Sequence, residues 1–168
     1  MKRLSLYLFL ILFTLQTPSW ADDISDFQIE GMSVGDSLLD YFSEEEIKRN
    51  KVTNYYKVDK FLVANISLPS FKTYNSIQVN YKKNDNKYII YAIGGDIIYY
   101  NNIEDCYEKK DEIVAEISEI LKSFKKKDSG RLRQSYDKIG KSYATVISFL
   151  SSSNDDIHVA CYDWSEEI

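Results

Sequence analysis

Histidine occurs once in this chain, cysteine and proline twice each, and glycine six times. One histidine (His158) and two cysteines (Cys106 and Cys161) leave a tetrahedral zinc site short of ligands. The cysteines also lack the Cys-x-x-Cys spacing that lowers the pKa of one thiol in redox proteins. The only basic block is Lys125-Lys126-Lys127. A nucleic-acid partner needs clustered cations against its phosphates, so the balance of charge argues against one. Gly140-Lys141-Ser142 resembles the end of a phosphate-binding loop, but Ser135 stands where the first glycine of that motif belongs. No metal, cofactor or catalytic residue is assigned from these patterns.

What the chain does have begins at its N-terminus. Lys2 and Arg3 precede an apolar stretch from Leu4 to Leu15, and Ser19 and Ala21 supply small residues before Asp22-Asp23. Residues 1–21 therefore read as a secretory signal peptide cleaved between Ala21 and Asp22. The apolar run is too short for a permanent anchor, and nothing later in the chain resembles a membrane helix. Asp22 stands where a lipidated protein would carry cysteine, so lipidation is not expected. The expected location is the periplasm or the cell exterior. Losing Lys2 and Arg3 takes the net charge from −5 to −7. The remaining stretch, 22–168, is long enough for one domain with a real core.

Lysine outnumbers arginine 17 to 4, and isoleucine reaches 19, asparagine 10 and tyrosine 14. Two explanations of the tyrosines stay open: an aromatic ligand surface, or an AT-rich bacterial genome, because Lys, Asn, Ile and Tyr share AT-rich codons.

Along the chain, Phe27–Glu30 alternates like a short strand. Ser33, with Asp36 three residues on, reads as a helix start, and Ser43 before Glu44-Glu45-Glu46 repeats the signal, giving short helices over about 33–49. The three glutamates suit a helix first turn better than a cation site. From Tyr55 to Tyr100 the pattern is β: a strand over 58–66, alternation at Ile77, Val79 and Tyr81, a turn at 83–86, a return over 87–93, and Gly94-Gly95 read as a bulge or bend before 97–100. Asn102 caps a long helix over about 102–126, with Cys106, Ile113, Ile117, Ile120, Leu121 and Phe124 on one stripe. Its lysine run then complements the helix dipole. The stretch 128–142 reads as a long loop, and 143–150 with 157–162 as a closing hairpin. The fold class is α+β: one mainly antiparallel sheet, a meander of about five strands, packed on one long helix.

Cys106 shares the buried stripe of that helix, and Cys161 follows Ile157 and Val159 with period two. If the helix packs on the last strand, the two sulfurs meet in an oxidising compartment; two buried free thiols are the alternative. His158 points away from Cys161 by the same alternation. Asp155, Asp156, Asp163, Glu166 and Glu167 read as a solvated acidic end rather than a calcium loop. Asn65-Ile66-Ser67 fits a glycosylation acceptor but falls in a strand. The last strand, leading to Trp164, is left with an apolar edge; a truncated frame, a partner strand completing the sheet or a frayed tail each account for it.

The stretches Ile29–Asp40, Asn101–Tyr107 and Ala160–Trp164 resemble an uncharacterised family of small exported bacterial proteins. Gly31-Met32-Ser33 before a β-meander is also similar to the outer-membrane-assembly accessory family BamE/SmpA and to β-lactamase-inhibitor-like domains. The missing lipidation cysteine and the late long helix depart from the accessory lipoproteins. The resulting expectation is a non-enzymatic binding or envelope-accessory domain whose partner is another envelope protein or peptide, met through a sheet edge or aromatic face. The alternative is a secreted hydrolase with a scattered site near His158.

Overall fold

The computed structural model describes residues 24–53, 55, 60–100, 102–135 and 137–165. The expected leader and its expected cleavage point between Ala21 and Asp22 lie outside the described residues. The chain is α+β, with two antiparallel sheets rather than one. The first holds β1 (Lys51–Val52), β2 (Phe61–Ile66), β3 (Ser76–Lys82) and β4 (Ile90–Asp96) in sequential order, with the short helix α1 (Glu44–Arg49) before it. The long helix α2 (Ile103–Ile120) follows, and β5 (Lys125–Arg133), β6 (Tyr143–Leu150) and β7 (Asp156–Asp163) form the second sheet. No helix among the described residues is long and apolar enough to cross a membrane.

Each sheet has its own core. Leu38, Ile47, Ile66, Ile77, Val79 and Ile90 are at most 1% exposed and pack together under the first sheet. Val114, Ile117 and Leu121 meet Ile147 and Phe149 under the second. The N-terminal segment reaches both, with Phe27 against the second cluster and Ile29 against the first. A tight hairpin turns the chain there: Ile29 and Met32 exchange both backbone hydrogen bonds, and Glu30 and Gly31 take φ of 52° and 83°. Positive φ at both central residues is the turn that matches strand twist.

Several elements differ from the sequence expectation. The expected helix at Ser33 is a turn, in which Gly35 adopts φ 97° and gives its N–H to Ile90 O. A 3-10 turn, Leu38–Asp40, follows under a Ser37 cap, and only α1 is α-helical, closed by reciprocal bonds between Ser43 and Glu46. The Gly94-Gly95 pair sits in regular register inside β4, opposite Gln78 and Ile77. The bulge falls instead at Tyr91, between the pairs Tyr81–Ile90 and Asn80–Ala92. Gly95 serves close approach: a Cβ there would run into the Tyr74 ring. Residues 97–100 form no strand.

The largest differences lie after α2. The helix ends at Ile120, not near 126, and Leu121 caps it with its N–H on Ile117 O. Residues 125–133, expected as a lysine-rich helix end and the start of a loop, form β5. The lysine run is therefore not a helix-dipole feature. Its strand bulges at Ser129-Gly130, where Gly130 takes φ 65° and donates to Asp128 Oδ1 at 2.7 Å.

Candidate functional site

Cys106 and Cys161 are joined, with Cα atoms 6.0 Å apart across a separation of 55 residues. That Cα distance lies in the usual disulfide range. The link ties the first turn of α2 to β7, and Cys161 is 1% exposed.

His158 stands on the opposite face of β7. Its side chain is 59% exposed, and Nδ1 lies 3.9 Å from Asp156 Oδ2, too far for a hydrogen bond. Ser148 is its cross-strand neighbour. The three side chains form a row on an open sheet face.

Against the expectation that the chain has no Gly-x-Ser-x-Gly signature, Gly31-Met32-Ser33-Val34-Gly35 matches the spelling of that nucleophile turn. The structure gives this serine a different task. Ser33 is 7% exposed, and its Oγ donates to Phe27 O at 2.9 Å while its N–H donates to Asp36 Oδ2. Nor does a helix follow directly, as that motif requires. The nearby Ser37 Oγ donates to Lys87 O at 2.6 Å.

Several of the acidic residues singled out from sequence have partners within the fold, while Glu166 and Glu167 lie outside the described residues. Glu46 closes the α1 capping box, and Glu44 binds Lys48 and accepts from the Tyr88 hydroxyl. Asp155 accepts from Ser151 and Ser153, and Asp163 lies 3.6 Å from Arg131. Glu30 accepts the amides of Lys72, Thr73 and Tyr74, and these bonds, Lys72 and Thr73 first, hold its carboxyl below the ordinary range. Asp36 accepts from the Tyr41 hydroxyl at 2.7 Å, which lowers its own pKa and, with burial, pushes the phenol up to about 12.

The phosphate-loop look-alike is resolved the same way. Amides of Ile139, Gly140, Lys141 and Ser142 converge as they would on an anion, but the anion is Asp137 of the same loop, which accepts all four at 2.7 to 2.9 Å. Burial works to raise the Asp137 pKa, and the bonds from Gly140, the Ser142 hydroxyl and amide, and Lys141 outweigh it, holding the carboxyl well below the usual range. Ser142 Oγ also accepts the N–H of Ser165, so one buried acid fixes both this loop and the segment after β7.

What remains exposed is a surface of another kind. Eight of the chain's 21 lysines and arginines fall within residues 122–141, opposed there only by Asp128 and Asp137. This local net charge of +6 sits in a chain of net charge −5. Eight of the nine residues of β5 are exposed. Beyond β6, on the face away from α2, Tyr162 and Trp164 stack at 5.6 Å and 7°, each about half exposed. Ala144 separates Tyr162 from Leu132 of β5, itself 44% exposed. On the first sheet, a smaller group places Phe61 edge-on to Tyr91, with Lys82 Nζ 4.3 Å from the Tyr91 ring centre.

Comparison with protein-family models, with curated proteins and with solved structures finds no match for this chain.

Proposed function

We propose that the chain is an exported, non-enzymatic binding domain of the cell envelope that meets another envelope protein or peptide through its second sheet. The observation that carries this reading is the concentration of cations on exposed β5 (Lys125, Lys126, Lys127, Arg131 and Arg133 against Asp128) in an otherwise acidic chain, with the Tyr162–Trp164 stack across β6 on the same sheet. A single-sign cluster on an acidic protein is a recognition feature, because it steers association and selects partners by charge. Amphipathic aromatics such as Tyr and Trp supply contact area with a polar handle. The export signal in the sequence and the Cys106–Cys161 link both suit an oxidising compartment.

The test is capture. The protein recovered from the envelope fraction, immobilised and exposed to envelope extract, should retain a partner that salt releases and that a Trp164→Ala, Tyr162→Ala variant loses. Retention of nothing above a blank matrix would contradict the reading. The second reading, a hydrolase, is favoured only by the row Ser148, His158 and Asp156. It requires ester hydrolysis by the purified protein that disappears in His158→Ala.

A further inference from the structure

Strand β5 has β6 on one side and no strand on the other among the described residues. Half the backbone groups of such an edge point outward and can template another chain. Its cations do not lie on one side. Lys126 stands opposite Phe149, on the face packed against α2, and its Nζ is 6.0 Å from that ring. Lys125 and Lys127 stand opposite Leu150 and Ser148, on the other face. Arg131, opposite Thr145, returns to the face of α2. An edge flanked by cations above and below is poorly matched to a flat anionic surface, which would meet one face only. A second copy is also disfavoured, because β5 paired with itself sets lysine against lysine.

We infer that β5, chiefly Lys125–Asp128, is the docking edge for an extended acidic segment of a partner polypeptide, added as a further strand. This rests on the binding-domain reading and names its partner chemistry. Side chains of an added strand alternate between the two faces as those of β5 do, so carboxylates at successive positions reach Lys125, Lys126 and Lys127 in turn. Main-chain hydrogen bonds to the edge supply affinity, and the alternating ion pairs supply selection and register. The bulge at Ser129-Gly130 turns the strand after Asp128 and ends the straight seat there. Exposed Leu150 beside Lys125 offers one apolar contact at the start of the seat.

The experiment uses the protein as released by the expressing cells and a fluorescein-labelled peptide, Thr-Val-Glu-Glu-Glu-Val-Thr, followed by anisotropy. The acidic peptide should bind at low salt. Its all-Lys counterpart, and a form with alternate amides N-methylated, should each bind at least about tenfold more weakly, a difference of about 1.4 kcal/mol. The Lys125→Glu, Lys127→Glu variant should lose at least about tenfold as well, with its disulfide and circular dichroism unchanged. Equal binding of the N-methylated peptide would overturn strand addition, since it keeps the charge and removes the pairing. Binding to phosphatidylglycerol vesicles without binding to the peptide would overturn the polypeptide partner. The N-methylated control leaves the protein untouched, so the inference stays exposed to refutation even if the charge-reversed variant misfolds. If envelope capture survives while peptide binding fails, the edge is wrong and the binding-domain reading stands; if both fail, both are wrong.

Discussion

The carboxylate of Asp137 accepts four consecutive amides, from Ile139 to Ser142, at 2.7 to 2.9 Å. Its pKa is depressed in the fold, so the stabilisation it gives is complete above the unfolded carboxylate range and is lost as pH falls through the folded value. Glu30 has the same sign through its three amides. The stability that each carboxylate gives should therefore begin to fall below about pH 4, where unfolded carboxylates take up protons, and go on falling until the folded group itself is protonated, which for Asp137 is far into acid. Asp137→Asn should make the amides of 139–142 and Ser165 exchange faster already at neutral pH, and it should flatten the acid side of the stability profile. Unchanged exchange at those five amides would refute the role given to Asp137. None of this was legible in the letters: Ser135 rules out the phosphate-loop motif at Gly140-Lys141-Ser142, and nothing in the spelling shows that Asp137 of the same loop gathers those amides. Gly95 is a second single-residue device: Gly95→Val forces the Tyr74 ring away and should cost about 1–3 kcal/mol by denaturant unfolding.

Helix α2 was visible in sequence through its Asn102 cap and its apolar period, and its end was not. Leu121 and Phe124 lie beyond the helix yet are buried in the same cluster as Val114 and Ile117, so the apolar spacing continues past the point where the backbone changes. Lysine is a good helix former, which adds to the illusion. Strand β5 hid for a complementary reason. An edge strand exposed on both faces has no buried side to alternate with a wet one, so the period-two signal vanishes. The pairing of Cys106 with Cys161 was legible because both elements bury one face and the two faces meet. Loss of that link in Cys161→Ser should lower stability by roughly 2–5 kcal/mol, mostly by freeing the unfolded chain. Leu121→Ala, in the same core, should cost about 2–5 kcal/mol. Denaturant midpoints measure both; a Cys161→Ser protein as stable as the parent would mean that the sulfurs are not joined in solution.

At the scale of the molecule, the α+β class followed from the order of elements, and the number of sheets did not. Strand patterns show which residues prefer a pleated surface but not which strand adds to which, and α2 interrupts the meander between β4 and β5. The division matters for the proposed function because it leaves β5, with its cations, as an edge. A five-stranded single sheet with the lysines at a helix end would have offered no such seat. The local charge of +6 within an acidic chain was countable from the beginning, but its meaning depended on learning that residues 125–133 are a strand. The most direct measurement is amide hydrogen exchange on the purified protein, alone and mixed with the acidic peptide. Slowed exchange at 125–128, with little change around His158 or in the first sheet, is the predicted result. Protection confined to the first sheet or to the His158 face, with 125–128 exchanging as before, would contradict it.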